Sequence, residues 1–260
     1  MQDKNSIEIS FEEYLNQLKL NQLFEKLGIS DSELLAKEVE YFTREEAEKR
    51  DRIVVNYFGK EGVNRIVNKI IELLFAPPEL PPDASLLDVG AGTGFFTVKI
   101  AEKVKAMLPE ARFYAMDITP AMLLSLFKKN TDVKPFVGVA EKIEESVKEA
   151  RAHIDIPLKF DVVFSILMLH HIAQPEKVFE SIKKVLKRDG KAIVIDLCEH
   201  SFEEFREEMG DIHLGFNPEE VYKMVRKTFS NVEVNVMPGI RCECSRRSAE
   251  LFVAYMQNNP

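Results

Sequence analysis

The sequence predicts an α/β fold in which helices cover both faces of a doubly wound, seven-stranded, mostly parallel sheet. In the second part of the chain, short β-type apolar runs alternate with amphipathic helical segments, a pattern typical of such sheets. Residues 7–75 instead carry apolar positions at helical spacing among Glu and Lys, which predicts helices and no strand. The proline-rich stretch APPELPPDA at 76–84 separates the two patterns. We therefore expect a helical N-terminal lid over 1–80 and a sheet domain over 81–260.

The order of elements in the sheet domain follows from apolar runs and from capping residues. The third strand contains Pro135, so we expect it at a sheet edge. A helix begins at Pro120 after Thr119 as its N-cap, because proline is tolerated at the first helical position. The first five strands are predicted over 86–89, 113–116, 135–139, 160–167 and 191–197, with further helices over 96–108 and 175–186.

Two more strands and one helix are predicted near the end of the chain. Asn217 is expected to cap the helix 218–229, and the strands follow at 232–237 and 251–255. The connection between these two strands is too short for a crossover helix, so the last strand should run antiparallel.

Composition restricts the kinds of partner. The chain has 260 residues and a formal net charge of −8, which disfavours nucleic-acid binding and favours a small molecule or a protein. It has no apolar run of the roughly 18 residues that a membrane span needs, and no secretory signal pattern at its N-terminus. Its three cysteines are too few for a disulfide framework. We expect a soluble, cytoplasmic protein without a membrane span.

A glycine-rich turn follows the first predicted strand in the stretch LLDVGAGTGFF at 86–96. Gly90, Gly92 and Gly94 precede a helix, where backbone without Cβ can approach a ligand closely. The dinucleotide fingerprint would need glycine where Phe95 stands, and the Gly-Lys-Ser/Thr ending of a phosphate-binding P-loop is missing. Asp117 ends the second strand, where doubly wound folds place a carboxylate that accepts hydrogen bonds from ribose hydroxyls. A nucleoside without pyrophosphate is therefore the favoured ligand.

These motifs together resemble the class I S-adenosylmethionine-dependent methyltransferases, and especially the small-molecule subgroup with quinone-biosynthesis C-methyltransferases (methyltransferase type 11). The resemblance lies in LLDVGAGTG at 86–94, in AMDITPAML at 115–123, and in FDVVFSILMLHHIAQPEKVFESIKKVLKRDGKAIVIDL at 160–197. It implies a Rossmann-like fold, S-adenosylmethionine as cofactor, and a helical lid before the first strand. Tyr57 and Phe58, flanked by Gly59 and Gly62, are candidate lid residues.

The resemblance also implies roles for individual residues. The turn would contact the methionine part of the cofactor, with Asp88 near its amino group, and Asp117 would hold the ribose. Ile118 and Met122 would pack on adenine, and Ala140 and Glu141 would reach its edge. The candidate cofactor residues are Asp88, Gly90, Ala91, Gly92, Thr93, Gly94, Asp117, Ile118, Met122, Ala140, Glu141 and Ser165. Many relatives carry Asp where this chain has Val139, so either Glu141 or backbone would have to bind the adenine amino group.

Histidines and cysteines offer candidates for chemistry. His170 and His171 follow the fourth strand, and His200 and His213 follow the fifth. The candidate proton acceptors among them are His170, His200 and His213. Alternatively, LHHI only shapes the pocket, because methyl transfer often needs positioning alone. We do not expect a metal or metalloid site. The weak candidates for its ligands are Cys198, Cys242 and Cys244, and the last two are predicted to lie in a loop.

The favoured function is methyl transfer to a small-molecule acceptor bound between the N-terminal helices and the sheet. Two alternatives remain: a cofactor-binding regulatory protein without turnover, and a methyltransferase that alkylates arsenite-type metalloids held by the cysteines. Base-amine methylation is disfavoured because SILM at 165–168 replaces the Asn/Asp-Pro-Pro-Tyr motif, and cytosine methylation because its Pro-Cys pattern is missing. Methylation of RNA or of a protein is a further, disfavoured possibility, RNA because of the negative charge.

Overall fold

The computed structural model describes residues 10–29, 32–42 and 44–258. The N-terminal part forms the helices α1 (Phe11–Gln17), α2 (Leu20–Lys26), α3 (Ser32–Tyr41) and α4 (Arg44–Phe75). A capping box begins α1, because the Ser10 hydroxyl accepts from the N–H of Glu13 and the Glu13 carboxylate accepts from the N–H of Ser10. The stretch SDSELL at 30–35 also predicts a capping box between Ser30 and Glu33, but Ser30 and Asp31 lie outside the described residues.

The sheet has seven strands in the order β3-β2-β1-β4-β5-β7-β6. The strands are β1 (Ser85–Val89), β2 (Arg112–Asp117), β3 (Lys134–Val137), β4 (Phe160–Ile166), β5 (Leu186–Leu197), β6 (Asn231–Cys244) and β7 (Arg247–Gln257). The first five strands are parallel, and β7 pairs antiparallel with both β5 and β6. The predicted Rossmann-like, mostly parallel sheet and the edge position of β3 are confirmed.

Helices cover both faces of the sheet. They are α5 (Phe95–Met107), α6 (Pro120–Phe127), α7 (Ile143–Ala150), α8 (Pro175–Val185), α9 (Glu204–Met209) and α10 (Pro218–Val225). Short 3₁₀ helices add Ala140–Lys142 and Leu169–His171. Asn217 caps α10 as predicted, since its side-chain oxygen accepts from the N–H of Glu219. Among the described residues, no helix is both long and apolar enough to cross a membrane.

The strand order determines where a ligand cleft can form. The chain winds outward from β1 through β2 to β3, then returns to place β4 on the other side of β1. Loops that leave the carboxyl ends of β1 and β4 therefore diverge, which opens a crevice at this edge of the sheet. The glycine-rich turn after β1 and the histidine pair after β4 border that crevice.

The last two strands form a longer hairpin than predicted. Ser245 and Arg246 alone connect β6 to β7, both with positive φ angles, as a two-residue hairpin turn of the primed type requires. Cys242 and Cys244 consequently lie inside β6 rather than in a loop, which corrects the prediction. Exposed polar residues recur along β6, so apolar residues alone did not indicate the full length of the hairpin.

Helix α4 is interrupted at Gly59, whose φ of 64° and ψ of 167° are not helical. The half that follows Gly59 is fixed to the sheet: Arg65 donates to the carbonyl oxygens of Pro238 and Gly239 in β6. The buried Lys191 of β5 donates from Nζ to the carbonyl oxygen of Leu74, 2.7 Å away. This half of α4 thus shares the hydrophobic core of the sheet, and the division of the chain at residue 80 stays a prediction.

Candidate functional site

A cleft with about 920 Å³ of empty space lies at the carboxyl ends of the strands. Its walls come from the turn after β1, the end of β2, the segment after β3, the segment after β4 and the N-terminal helices. The sheet-side residues are Gly90, Ala91, Gly92, Thr93, Phe95, Phe96, Met116, Asp117, Ile118, Thr119, Met122, Gly138, Val139, Ala140, Glu141, Ile166, Leu167, Met168, His171 and Ile172. Sequence motifs far apart in the chain are therefore brought to one cavity.

The glycines of the turn serve different purposes. A Cβ on Gly90 would lie 2.2 Å from Cγ of Met168, so packing excludes any side chain there. Gly92 has a φ of +53°, and no described heavy atom comes within 4 Å of the Cβ it would carry. Gly94 lies behind the turn against Leu126, outside the cleft lining. Gly92 therefore leaves its open face to a ligand.

Asp117 connects the ends of two neighbouring strands. Its Oδ2 accepts from the N–H of Gly92 at 2.7 Å, and its Oδ1 accepts from the N–H of Thr119 at 2.9 Å. Burial raises the pKa of Asp117, and these two backbone hydrogen bonds partly offset that effect. The carboxylate is thus held in one orientation at the cleft wall.

Two other predicted cofactor residues lie behind the wall. Asp88 is buried and accepts from the Thr97 hydroxyl at 2.6 Å, while the Ser165 hydroxyl donates to the carbonyl oxygen of Val89 at 2.8 Å. Burial and, to a smaller extent, the nearby charge of Asp117 raise the pKa of Asp88 to about 7, although the hydrogen bond from Thr97 opposes the rise. In the structure both side chains brace the turn, and neither lines the cleft.

Glu141 brings a carboxylate to the side of the cleft formed after β3. Burial raises its pKa, and its Oε2 is buried with no hydrogen-bond partner among the described residues. Val139 and Ala140 line the cleft beside it. An acceptor atom is thus available next to Val139, where the sequence lacks the Asp of related proteins.

The N-terminal helices supply the opposite wall through Leu35, Phe42, Arg50 and Val54. The Arg50 guanidinium lies over the ring of Phe42, 5.4 Å from its centroid. Arg50 is the lining cation that sequence reasoning missed, because one arginine in a charged amphipathic helix gives no distinct signal. The neighbouring Asp51 accepts from the Thr93 hydroxyl at 2.5 Å, which ties α4 to the glycine turn.

The proposed lid residues Tyr57 and Phe58 do not line this cleft. Phe58 is buried in the core cluster that contains the sheet, and Tyr57 packs against the same cluster. Burial raises the pKa of Tyr57. Val54, one turn earlier in α4, contributes to the cleft instead.

The histidine pair divides between the core and the cleft. His171 lines the cleft, whereas His170 is fully buried, with Nδ1 2.6 Å from Oδ1 of Asp196. Consecutive side chains of a 3₁₀ turn point about 120° apart, so only one of the two faces the cavity. Burial lowers the pKa of His170, but Asp196 and Asp211 together raise it above its ordinary value. Burial and the charge of His170 hold the pKa of His171 well below its ordinary value.

The other two candidate histidines contact neighbouring backbone and rings. His213 Nε2 lies 2.9 Å from the carbonyl oxygen of Ile172. His200 Nδ1 accepts from the N–H of Phe202, and its ring stacks on the Phe202 ring. Neither belongs to the cleft lining, so of the histidines in the described part only His171 borders the cavity.

Burial changes the acidity of all three cysteine thiols. Burial raises the pKa of Cys198 to about 11 and that of Cys244 to about 12, and it also raises the pKa of Cys242. The Cys244 thiol donates to a carboxylate oxygen of Glu208 at 2.8 Å. A metal or metalloid bound by these thiols would have to displace their protons.

Comparisons with known proteins agree with this geometry. Residues 81–244 match the family model described as a methyltransferase domain, which is more than half of the chain. A curated relative is the highly reducing polyketide synthase PKS6 of Gibberella zeae, 24% identical over 153 residues, or 58% of this chain and 6% of the relative. Another is the biotin biosynthesis bifunctional protein BioHC of Cellvibrio japonicus, 26% identical over 147 residues, or 56% of this chain and 26% of the relative.

A solved structure of similar fold is phosphoethanolamine N-methyltransferase 2 of Haemonchus contortus in complex with S-adenosyl-L-methionine. It has a TM-score of 0.60 and 16% sequence identity, and the match covers 97% of this chain and 60% of that chain. The chain therefore spans less than two thirds of each of these three proteins. At this level of identity the structural likeness shows a shared fold.

Proposed function

The chain belongs to the methyltransferase domain family, and from that premise we propose that it transfers a methyl group from S-adenosylmethionine to a small-molecule acceptor. The observation that carries this proposal is the convergence of the Gly90–Thr93 turn, Asp117 and the Glu141 segment on one cleft. The solved methyltransferase from Haemonchus contortus, which holds S-adenosyl-L-methionine, supports the choice of cofactor.

The cofactor would occupy the side of the cleft formed by the ends of β1, β2 and β3. Asp117 would accept hydrogen bonds from the ribose hydroxyls, as an acid at the end of the second strand does in doubly wound folds. Ile118 and Met122, which are buried and line the cleft, would pack on adenine. The free Oε2 of Glu141 would accept from the adenine amino group in place of the missing Asp at Val139.

The methionine part would lie against the open face of Gly92. Asp88 and Gly94, which lie behind the turn, would act by fixing its shape, and Ser165 would do so through its bond to Val89. Arg50 is the candidate partner for the amino-acid carboxylate, because the adjacent Asp51 bonds to Thr93 and so places Arg50 beside the turn. A guanidinium can bind a carboxylate through two parallel hydrogen bonds.

The acceptor would lie between the N-terminal helices and the segment after β4. The side chains there are mostly apolar: Leu35, Phe42, Val54, Ile166 and Ile172, with His171 among them. Bound S-adenosylmethionine would supply a methyl group on a sulfonium, ready for in-line transfer to a nucleophilic atom. The chain's own contribution is to position that atom and exclude water, which supplies much of the barrier reduction in such reactions. Residues 1–80 would act as the lid over this space.

Calorimetric titration with S-adenosylmethionine and with S-adenosylhomocysteine tests cofactor binding. We expect one site per chain for both ligands, followed by transfer of a labelled methyl group to at least one member of a panel of small, partly apolar acceptors. Absence of binding for both ligands would overturn the proposal. Binding without transfer to any acceptor would favour a regulatory, non-catalytic role.

A further inference from the structure

A second group of chemically active side chains lies beside the cleft and takes no part in the proposed cofactor site. His170, His171 and Asp211 each offer one ligand atom, and these atoms all lie within 4.8 Å of one another. The residues are 0%, 8% and 4% exposed. Histidine and carboxylate are uncommon in full burial unless their polar atoms are partnered.

The polar atoms on the inner side of this group have no partners. Nε2 of His170, Nε2 of His171 and both carboxylate oxygens of Asp211 are buried without a hydrogen bond to any described residue. A buried acceptor without a hydrogen-bond partner destabilises the fold, so several in one place call for a ligand. The space between them is therefore polar and unsatisfied by the protein itself.

The outer ring nitrogens of both histidines are occupied. His170 Nδ1 donates to Asp196 at 2.6 Å, and His171 Nδ1 lies 3.3 Å from the carbonyl oxygen of Gly210. Since both partners only accept, each imidazole carries a proton on Nδ1, and Nε2 of each is the atom left to bind a ligand. This is the arrangement of metal-binding histidines, which donate their other N–H to a carboxylate or a backbone carbonyl.

The backbone around the group is fixed by further hydrogen bonds. The N–H groups of Ile212 and His213 both donate to the carbonyl oxygen of His170 at 3.0 Å, which joins the segment of Asp211 to the 3₁₀ turn. The N–H of Leu169 donates to Oδ2 of Asp196 at 2.7 Å. The three side chains are thus positioned before any ligand binds.

An ion pair between His170 and Asp211 alone does not explain the arrangement of the three side chains. His170 Nε2 and Asp211 Oδ1 are 3.6 Å apart, which is too long for a hydrogen bond. Such a pair would also leave Nε2 of His171 without a partner. A cation shared by all three residues would give a partner to both Nε2 atoms and to the Asp211 carboxylate.

We propose that Nε2 of His170, Nε2 of His171 and a carboxylate oxygen of Asp211 bind one divalent transition-metal ion. Two imidazoles and one carboxylate are a ligand set that zinc accepts in sites with an open position, and that other first-row metals also accept. Because His171 lines the cleft, the open position faces the cavity and can take an oxygen, nitrogen or sulfur atom of a bound molecule. This inference rests on the chain's own ligand atoms and is independent of methyl transfer.

The test uses the full chain, stripped of metal by a chelator and titrated with Zn²⁺ and with Co²⁺ in the absence of any cofactor. Calorimetry gives the stoichiometry, and the visible absorption of Co²⁺ reports nitrogen and oxygen ligands. We expect one ion per chain, bound at least tenfold more weakly by Asp211→Asn and by His171→Gln. Asp211→Asn retains the shape of the side chain, and its thermal unfolding confirms that it folds.

Two matched variants locate the site. His153→Gln removes an exposed histidine, and Cys244→Ser removes a thiol that is the most plausible competing ligand. Both should bind the metal as the wild type does. Absence of stoichiometric binding in the wild type would overturn the proposal, as would unchanged affinity in both Asp211→Asn and His171→Gln. Loss of binding in Cys244→Ser would also overturn it.

Discussion

Oδ2 of Asp117, at the end of β2, accepts a hydrogen bond from the N–H of Gly92 at 2.7 Å, in the turn after β1. One carboxylate therefore both shapes the glycine turn and faces the cleft. A ligand hydroxyl that approaches Asp117 meets an acceptor whose orientation is already set.

Asp117→Ala should weaken S-adenosylhomocysteine binding by about 10- to 100-fold, because hydrogen bonds to a charged group contribute roughly 1.5–3 kcal/mol each. Asp117→Asn keeps one acceptor oxygen for a neighbouring N–H and should weaken binding less. Calorimetric titration measures both affinities. Asp132→Ala, which removes an exposed carboxylate bonded to Lys105, should bind as the wild type does. Equal affinity in Asp117→Ala and the wild type would remove the ribose-binding role.

We expect Gly90→Ala to affect mainly the stability of the fold and Gly92→Ala to affect mainly cofactor binding. The new Cβ at position 90 would collide with Met168, so we expect Gly90→Ala to lose about 2–4 kcal/mol of unfolding free energy from overpacking and positive φ. At position 92 the Cβ points into open space, so Gly92→Ala should lose about 1 kcal/mol from its backbone conformation alone, yet bind the cofactor more weakly. Denaturant unfolding and calorimetry measure the two effects. If Gly92→Ala binds normally, the open face of Gly92 is not the cofactor's contact.

Arg50→Met should reduce the affinity for S-adenosylhomocysteine by about tenfold or more, because it removes the cation proposed to pair with the amino-acid carboxylate. The same substitution should leave the affinity for 5′-methylthioadenosine unchanged, since that ligand lacks the carboxylate. Arg50→Lys keeps the charge but cannot form two parallel hydrogen bonds, so its affinity for S-adenosylhomocysteine should lie between those of the wild type and Arg50→Met. An equal loss for both ligands would show that Arg50 acts on the shape of the cleft instead.

Asp88 should make the protein less stable as the pH rises. Its folded pKa of about 7 lies above the value of roughly 3.9 for an unfolded chain, so the folded state keeps a proton that the unfolded state releases. The contribution of Asp88 to stability is therefore complete below about pH 4 and is lost as the pH rises toward 7.

Asp88→Asn should abolish this loss, because the amide cannot ionise and its oxygen still accepts from Thr97. We expect the free energy of unfolding of the variant to exceed that of the wild type by on the order of 1–4 kcal/mol at pH 8, and by less at pH 5. Urea unfolding at the two pH values measures the difference. An advantage that is equal at both would show that Asp88 does not titrate between them.

The sequence predicted the sheet and one wall of the cleft because their signals are local. Strands such as Ser85–Val89 are fully buried and mostly apolar, and the turn at Gly90 follows one directly, so both appear in a short window. Asp117 was identified in the same way, from its position at the end of β2.

The other wall depends on contacts between distant parts of the chain. Arg50 reaches the cleft only because α4 packs across the sheet, and no local pattern distinguishes it from other exposed charges. The choice between His170 and His171 depends on the rotation of a 3₁₀ turn, which a sequence of two adjacent histidines leaves open. Tyr57 and Phe58 were wrongly expected over the cleft because aromatic residues of a lid and of a core share the same helical spacing.

The break at Gly59 divides α4 into two halves that are held in different ways. The half after it is fixed to β6 and β5 through Arg65 and Lys191, whereas the half before it is held at the glycine turn by the bond between Asp51 and Thr93. We expect the first half to swing away at Gly59 when a ligand enters or leaves. That swing withdraws Val54 and Phe58 from the core, at about 1.5–3 kcal/mol for each side chain. We therefore expect the open form to be a minor population, and the residence time of a bound molecule to depend on how often these two side chains leave the core together.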